Sequence, residues 1–397
     1  MLNSRSIKQG DGNMGDIVIV EAVRTPLGRR NGWLREVHPA RLGAIVVGEL
    51  LQRTQLDPAL IDHVLFGCVS QAGEQAFNIA RNVVLDAGLP VTAPATSLDF
   101  QCGSSQQAAH LGAGMIVSGQ AEIVIAGGVE SMTRVPLGSS ALNQQPFTDR
   151  IIAAYHPISQ GMAADKIAAK WNITRAEADL IGYESHVHAA QATEKGWFQR
   201  EMAPVDGLDD AGQPLTVTRD QGIRFNPDLG KMGQLAPAFS ADGVTTAGNS
   251  SQITDGAAAV LLMRAQKAAE LGLKPRARIV AMVTTADDPY LMLTGPIGAT
   301  KKALTKANKT INDIDLFEVN EAFAVVIAMW QREIGADMTK VNAHGGAIAL
   351  GHPVGASGAR LMTTLLYALE THDKRFGLQT MCCGGGLGTG TVIERLD

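Results

Sequence analysis

Short apolar runs alternate with longer, Ala-rich stretches in the first and last thirds of the chain. The runs have the length of buried strands, whereas the longer stretches have the length and the apolar spacing of helices. This alternation indicates an α/β fold with largely parallel sheets that are covered on both faces. The predicted strands cover residues 16–23, 63–69, 121–126, 277–283, 316–319 and 377–382, and the predicted helices cover 39–53, 106–119, 301–307, 322–334 and 358–369.

The middle of the chain interrupts this alternation. Thr174-Arg175-Ala176-Glu177 is a capping-box pattern that predicts a helix through about Ala192, and a polar, turn-rich stretch follows at 204–222. Such a region is typical of an inserted lobe that lies over the junction of two halves. We therefore predict an inserted lobe at about residues 135–240.

A distant internal repeat supports the two halves. Phe66 precedes Cys102 by 36 positions, and Phe317 precedes His352 by 35. After each of these reactive residues come a Gly/Ser-rich turn, an Ala-rich helix and a strand that ends in consecutive glycines. Two copies of one architecture explain this order most simply, and chance similarity among α/β units is the alternative.

Composition and motifs argue against several kinds of partner. A net charge of −5 over 397 residues gives no broad basic field, which argues against nucleic acid. The four cysteines lie in an enzyme-sized chain without a secretory signal, so we expect reduced thiols. They form no Cys-x-x-Cys pair, so we expect no metal site. No apolar run approaches the roughly 18 residues of a membrane span, and residues 1–13 resemble a ragged leader without an apolar core. We predict a cytoplasmic protein with no membrane segment.

Two thiols and an imidazole are the candidate reactive groups. Cys102 precedes a small-residue helix, and a helix N-terminus would lower its pKa and favour the nucleophilic thiolate. His352 lies in a Gly-rich segment, where an imidazole could take the Cys102 proton and donate to an oxyanion. Each residue alone could instead be structural: a buried cysteine, or a core histidine such as His344.

Two further segments add chemistry to these groups. Cys382 precedes three glycines whose N–H groups could form an oxyanion hole, and its thiol could move a proton to and from carbon. A strand-end turn is the alternative. Cys383 would point to the opposite face of the strand, into the core. Asn320 lies in a mostly apolar stretch, and an amide there could hold a water as an oxyanion donor.

In sequence order, five motifs resemble those of the thiolases, the acyl-CoA C-acetyltransferases, and the resemblance extends over about residues 16–397. Asn-Glu-Ala-Phe and the final Cys-x-Gly-Gly-Gly separate thiolases from the related ketoacyl synthases. The resemblance implies a five-layered αβαβα core of two similar halves, with a loop domain inserted in the first. Residues 14–134 and 241–276 would form the first half, 135–240 the loop domain and 277–397 the second half. The motifs stand at residues 101–104, 246–251 with 255–258, 320–323, 345–353 and 382–386.

The same resemblance implies a role for each reactive residue. Cys102 would carry the acyl group, His352 would activate it, and Cys382 would be the general acid and base. A water on Asn320 would form one oxyanion hole together with His352 Nε2. The backbone N–H groups of Cys102 and Gly384 would form the other. The positions implied for substrate binding are Ser251 at the pantetheine, Arg224 near the adenine, Phe239 and Phe323 along the pantetheine tunnel, and Met162 and Met292 in the acyl pocket.

Three positions depart from the family's usual pattern. Ser105 and His344 stand where Gly and Asn are usual. The run Ser159-Gln160-Gly161-Met162-Ala163 lacks the His found before the equivalent methionine in short-chain biosynthetic thiolases, which argues against an acetoacetyl-CoA specialist. Further runs are similar to bacterial thiolases that degrade steroid side chains or other bulky acyl-CoAs; they lie at residues 31–34, 71–75, 101–107 and 288–290.

The function that the resemblance implies is degradative. The enzyme would cleave 3-oxoacyl-CoA with coenzyme A as co-substrate, would need no permanently bound cofactor, and would form a homodimer or homotetramer. Two alternatives remain at this point. One is biosynthetic condensation of two acetyl-CoA molecules, and the other is a non-catalytic subunit that binds acyl-CoA.

Overall fold

The computed structural model describes residues 16–396, which form a ten-stranded mixed sheet, a separate two-stranded sheet and helices around them. In chain order, the strands of this region are β1 (Ile17–Arg24), β2 (Gly28–Arg29), β3 (His63–Gly67), β4 (Ala95–Leu98), β5 (Ile123–Ser131), β6 (Val205–Leu208), β7 (Pro214–Val217), β8 (Thr254–Arg264), β9 (Ala277–Ala286), β10 (Leu316–Val319), β11 (Phe376–Cys383) and β12 (Leu387–Arg395). The α-helices are α1 (Pro39–Thr54), α2 (Ile79–Asp86), α3 (Ser104–Ser118), α4 (Asp149–Tyr155), α5 (Gln160–Trp171), α6 (Arg175–Glu194), α7 (Leu229–Gly233), α8 (Ala265–Glu270), α9 (Gly295–Lys306), α10 (Ala324–Ile334), α11 (Ala347–Leu350) and α12 (Ser357–Thr371).

The large sheet consists of two similar halves. The strand order β4-β3-β5-β8-β1 continues through a short β1–β9 pairing into β9-β12-β11-β10. In the first half β3 and β5 are parallel and flank α3 in sequence, and in the second half β10 and β11 are parallel and flank α12. Each pair is followed by an antiparallel strand, β8 beside β5 and β12 beside β11. The predicted internal repeat is therefore confirmed.

The prediction of largely parallel sheets is wrong. Within residues 16–396, parallel pairing joins β3 to β4, β3 to β5, and β10 to β11, while β8, β9, β12 and β1 pair antiparallel. The physical reason lies in the connections. A Gly-rich turn of three residues links β11 to β12, and a turn that short can join only antiparallel strands.

The helices complete five layers. α3 and α12 pack against each other between the two halves of the sheet, and their apolar residues share one buried cluster with strands of both halves. α1 and α2 cover the outer face of the first half, and α9 and α10 cover that of the second. Because α12 is buried on all sides from Ser357 to Leu369, it forms the centre of the molecule rather than a surface layer.

The lobe between β5 and β8 carries α4–α7 and the β6–β7 hairpin. The predicted helix is present as α6, where Thr174 accepts a hydrogen bond from the Glu177 N–H. The Glu177 carboxylate binds Arg332 of α10, which ties the lobe to the second half. Between residues 16 and 396, no helix is long and apolar enough to cross a membrane. The predicted leader at residues 1–13 lies outside the described region.

Candidate active site

Cys102 lies in the turn between β4 and α3, two residues before the helix begins. Gln101 has a φ of 51°, and its N–H bonds the Asp99 carboxylate at 2.6 Å, so the turn is tight. The Cys102 side chain is 5% exposed. Its own N–H, the Gly384 N–H and the Gln160 side chain are near enough to its sulfur to lower the pKa of the thiol. The structure therefore brings both predicted backbone donors to the predicted nucleophile.

The predicted low pKa of Cys102 is wrong for this site. Burial raises the pKa of the thiol to about 11, and the negative charge of Glu130 adds to the increase. The three donors near the sulfur act in the opposite direction, but they do not offset the loss of solvation. The resting nucleophile is therefore a neutral thiol, and it needs a base during the reaction.

His352 is held as a neutral base. Its Nδ1 lies 2.6 Å from Ser357 Oγ, and that hydroxyl donates its single hydrogen to the Pro353 carbonyl at 2.9 Å. Nδ1 must consequently carry the ring hydrogen, which leaves the Nε2 lone pair free to accept. Burial, together with the positive charge of Arg360, lowers the pKa of His352 to about 3. The imidazole is therefore uncharged at neutral pH.

Asn320 faces this imidazole across the end of β10. Its Nδ2 donates to His352 Nε2 at 3.3 Å, and its backbone N–H bonds the Thr380 carbonyl at 3.0 Å. Its Oδ1 is buried and has no hydrogen-bond partner among residues 16–396. A buried acceptor of this kind needs a partner, and a bound water would supply one. The geometry thus fits the predicted pairing of Asn320 with His352.

The two cysteines at the end of β11 lie on opposite faces of the strand. Cys382 packs with Met292 and Phe323, whereas Cys383 packs with Cys102 and Met381. Cys383 is fully buried, as predicted, and its sulfur accepts a hydrogen bond from the Gly103 N–H. Burial and the neighbouring Cys102 raise the pKa of Cys382. Both predicted reactive thiols thus lie in one solvent-poor region.

A cavity of about 390 Å³ opens beside the nucleophile. Met292 and Gly384 line it, but Met162 does not: its side chain is 40% exposed, and Gln160 takes the place on the wall. The role of Met162 in the acyl pocket stays a prediction. The first turn of α5 directs residue 160 rather than 162 towards the cavity. Apolar side chains of the lobe complete the lining, namely Leu137, Phe147, Ile151, Tyr155 and Ile158.

Three of the predicted coenzyme A residues lie together. The rings of Phe239 and Phe323 meet edge to face with centroids 5.9 Å apart, and the Ser251 N–H bonds the carbonyl of Ala322 at 3.0 Å. Arg224 is exposed on the lobe, where its backbone N–H donates to His186 Nδ1 at 3.1 Å. The exposed guanidinium of Arg224 could bind a phosphate or stack on an adenine, but Arg224 does not contact Ser251, Phe239 or Phe323.

Sequence reasoning missed three residues of this site. Gln160 lines the cavity beside Cys102, and Ser357 fixes the tautomer of His352. Glu130 accepts the N–H groups of Val69 at 2.8 Å and of Gly355 at 3.0 Å, so it ties the loop after His352 to the first half. The available signals were a polar residue in the small-residue run 159–163 and a serine at the start of a predicted helix.

Across residues 16–396, no group of three or more His, Cys, Asp or Glu side chains could hold a metal ion.

Comparisons with known proteins agree with this geometry. The family model for the thiolase N-terminal domain matches residues 17–266, and the model for the thiolase C-terminal domain matches residues 273–395. A steroid 3-ketoacyl-CoA thiolase of Mycobacterium tuberculosis is 46% identical over 96% of this chain and 95% of its own length. A 3-ketoacyl-CoA thiolase of Saccharophagus degradans is 44% identical over 96% of this chain and 98% of its own. An acetyl-CoA acetyltransferase of Chromobacterium violaceum is 43% identical over 96% and 100%. The chain belongs to the thiolase family.

Proposed function

We propose that this chain is a degradative thiolase that transfers the acyl group of a 3-oxoacyl-CoA to coenzyme A through a Cys102 thioester. One observation carries the proposal. The buried Cys102 thiol packs in one apolar cluster with Val354, two residues after His352, and the Nε2 of that neutral imidazole can accept a proton. The names of the relatives from Mycobacterium tuberculosis and Saccharophagus degradans agree with this direction of the reaction.

The first half-reaction breaks the C2–C3 bond of the substrate. Cys102 attacks the C3 carbonyl while its proton passes to His352 Nε2, and the N–H groups of Cys102 and Gly384 stabilise the tetrahedral oxyanion. Collapse releases the enolate of acetyl-CoA and leaves the acyl group on sulfur. The protonated His352 and a water on Asn320 stabilise that enolate oxygen. Cys382 then donates its proton to C2, so acetyl-CoA departs.

The second half-reaction returns the enzyme to its starting state. The Cys382 thiolate takes the proton of the incoming coenzyme A thiol, and the resulting thiolate attacks the acyl-enzyme carbonyl. The same two N–H groups, from Cys102 and Gly384, again hold the oxyanion. Cys102 leaves as a thiolate and recovers its proton from His352. Each proton that is removed is thus returned, and coenzyme A is consumed as a substrate rather than held as a cofactor.

The acyl group in this proposal is bulky and apolar. The cavity beside Cys102 is lined by aromatic and branched side chains of the lobe, and Phe147, Ile151 and Tyr155 remain partly exposed there. Burying such groups against a large acyl chain is favourable, whereas an acetyl group would leave them in water. The relative named acetyl-CoA acetyltransferase supports the biosynthetic alternative, in which two acetyl-CoA molecules condense.

A panel of 3-oxoacyl-CoA thioesters tests the proposal. We expect the loss of substrate in the presence of free coenzyme A to be faster for bulky acyl groups than for acetoacetyl-CoA. Activity confined to acetoacetyl-CoA would retain the mechanism and favour the biosynthetic alternative. Failure to cleave any thioester, combined with binding of coenzyme A, would favour the non-catalytic subunit instead.

Two cysteine variants identify the nucleophile in the same assay. Cys102→Ala should reduce thiolysis to the background rate, because the thiol that carries the acyl group is removed. Cys68→Ala is the matched control, since Cys68 is also a buried free thiol but packs in a different apolar cluster. A Cys102→Ala enzyme that retains normal turnover would contradict the assignment. Mass spectrometry of the wild-type enzyme should find the acyl adduct on Cys102.

The organisation of the chain belongs to the same proposal. Residues 14–134 and 241–276 would form the first half, 135–240 the loop domain and 277–397 the second half. The position of β8 between β1 and β5 supports the return of the chain to the first half after the lobe. A homodimer or homotetramer in the cytoplasm remains a prediction, which sedimentation and cell fractionation would test.

A further inference from the structure

The loop that carries His352 is bound on both sides of that residue by buried carboxylates. We call residues 346–355, which extend from the N-cap of α11 to the turn before α12, the base loop. Glu321 accepts the Ile348 N–H at 3.1 Å, and Glu130 accepts the Gly355 N–H at 3.0 Å. Glu130 is 0% exposed and Glu321 is 3% exposed. The base loop is therefore fixed at two points that flank the imidazole.

The first carboxylate joins the base loop to the lobe. Glu321 Oε2 accepts a hydrogen bond from Ser185 Oγ of α6 at 2.6 Å, and that hydroxyl accepts the Gly346 N–H at 3.1 Å. A Cβ at Gly346 would lie 2.2 Å from the Glu321 carboxyl carbon, so the contact is close. Glu321 also directly follows Asn320, whose amide faces the base. It thus fixes the beginning of the base loop relative to Asn320.

The second carboxylate joins the base loop to the surroundings of the nucleophile. Glu130 lies on β5, and its Oε2 accepts the Val69 N–H at 2.8 Å in addition to that of Gly355. Val69 lines the cavity and packs against the cluster that contains Cys102 and Val354. A Cβ at Gly355 would lie 2.5 Å from Glu130 Oε2. Glu130 therefore sets the position of the base loop relative to the wall beside Cys102.

We propose that Glu130 and Glu321 are positioning residues, which hold His352 in place for proton transfer by fixing both ends of the base loop. Within residues 16–396, the hydrogen bonds of the two carboxylates go to neither the imidazole nor Cys102, so both act through the loop. Proton transfer needs a short, fixed distance, and a displacement of about 1 Å can cost about 100-fold in rate. The inference rests on the proposed function for the role of His352 as base.

The charge of Glu130 allows positioning to be separated from a direct electrostatic effect. This negative charge raises the pKa of the Cys102 thiol, so its removal alone would make the nucleophile easier to ionise. Displacement of the base loop acts in the opposite direction, because it lengthens the path of the proton to His352. A lower kcat in a variant without the charge therefore reports the position of the base.

Substitution by methionine releases each end of the base loop at a similar side-chain length. We expect Glu130→Met and Glu321→Met each to lower kcat for thiolysis by about 10- to 100-fold and to leave KM nearly unchanged. Glu321→Gln keeps one oxygen that can still accept from Ser185 and Ile348, so it should recover much of the lost activity. An equal loss in Glu321→Gln and Glu321→Met would mean that the acceptor has no role, which contradicts the inference.

Hydrogen exchange examines the base loop without relying on thiolysis. The Gly355 N–H in Glu130→Met and the Ile348 N–H in Glu321→Met should exchange about tenfold faster, because each loses its acceptor. Overlapping peptides of the base loop are followed by mass spectrometry. Glu394→Gln is the matched control, since Glu394 is a buried carboxylate of the second half that binds two surface arginines. It should lower stability but leave kcat and the exchange of the base loop unchanged.

Three results would overturn the inference. They are a kcat close to the wild type in either Met variant, a change confined to KM, and equally fast exchange of the base loop in Glu394→Gln. If a Met variant does not fold, as judged by circular dichroism, Ser185→Ala provides a milder test. It removes the acceptor of the Gly346 N–H, and an unchanged exchange rate there would contradict the inference. Failure of the wild type to cleave any thioester would contradict the proposed function, while exchange would still report whether the carboxylates hold the loop.

Discussion

The two halves of the molecule share one topology but hold their reactive groups in different ways. Each half places a reactive residue before a central helix, Cys102 before α3 and His352 before α12. The nucleophile is held mainly by backbone N–H groups, whereas the base is held by the side chains of Ser357 and Asn320. Backbone donors survive most substitutions. We call the first half, with Cys102, the nucleophile half and the second half, with His352, the base half. The base half should therefore be more sensitive to changes of single side chains.

Two serines make this difference testable, because each lies in the first turn of one central helix. Ser357 Oγ accepts from His352 Nδ1, whereas Ser105 Oγ accepts from the N–H of Ala359 at 2.9 Å. The N-cap residue of α12 is Ala356, whose side chain cannot accept a hydrogen bond. Ser105 of α3 therefore caps the start of α12 instead. One serine orients the base and the other joins the two helices.

The largest effect is expected from Ser357→Ala. Without this hydroxyl, the Nδ1 hydrogen of His352 loses its acceptor, and the ring is no longer held in the tautomer that presents a free Nε2. The loss of one buried hydrogen bond should lower kcat for thiolysis by about 10- to 100-fold. The variant would be compared with wild type on the preferred thioester, and KM would change little.

Ser357→Thr provides the control for this experiment, because it restores a hydroxyl at the same position. It should recover much of the lost activity, provided that α12 accommodates the extra methyl group. Equal kcat in wild type and Ser357→Ala would show that Asn320 alone orients the imidazole. The proposed contrast between the two halves would then fail.

A smaller effect, on stability rather than on chemistry, is expected from Ser105→Ala. The Ala359 N–H would remain buried without a partner, which costs about 1–3 kcal/mol of unfolding free energy. Because Ser105 makes no contact with His352, kcat of the folded enzyme should decrease far less than in Ser357→Ala. Urea unfolding and the thiolysis assay would measure the two quantities on the same sample. A loss of kcat without a loss of stability would reverse the roles assigned to the two serines.

Much of the fold could be predicted from the pattern of apolar residues. All six predicted strands and all five predicted helices of the two halves are present, with ends that differ by a few residues. The strands that were missed are those whose composition hides them. β8 contains Ala257, Ala258 and Ala259, which favour helix, and the glycines of β12 weaken a strand pattern. Their antiparallel pairing depends on contacts between distant segments, which local patterns do not contain.

The candidate site was predictable to the level of its reactive residues but not of their protonation. The motifs indicated Cys102, His352 and Cys382, but burial reversed the expected direction of the Cys102 pKa. The helix N-terminus lowers the pKa of Cys102, and the loss of solvation raises it. Which effect is larger depends on the side chains around the sulfur, and these come from distant parts of the chain. The sequence also did not reveal how closely Gly128 approaches the loop that follows His352. A Cβ at Gly128 would lie 2.1 Å from the Gly355 carbonyl, so only glycine fits there.

The base half has a further feature, a histidine pair that contacts the lobe, in which His344 is buried and His372 is partly exposed. His344 Nε2 lies 3.0 Å from His372 Nε2, and the Trp197 ring stacks on His344 with centroids 4.8 Å apart. Burial lowers the pKa of His344 to about 3, and the positive charges of Lys195 and Arg24 contribute to the decrease. His344 is therefore neutral in the folded protein, although it stands where asparagine is usual in the family.

The smallest expected effect is a pH dependence of stability that His344→Asn should reduce. Between pH 6.5 and 3 the unfolded chain binds a proton at His344 that the folded protein does not bind, so acid favours unfolding. This contribution to stability is complete above pH 6.5 and should fall by about 1 kcal/mol by pH 5.5. Asparagine does not titrate, so the decrease in unfolding free energy between pH 7.5 and 5.5 should be smaller by that amount in the variant.

Each protein is compared with itself at the two pH values, because the loss of the Trp197 contact lowers stability at both. Urea unfolding curves give the four free energies. An equal decrease in both proteins would show that His344 remains neutral in the unfolded chain or is charged in the folded one, and the base half would then depend on pH no more than the nucleophile half.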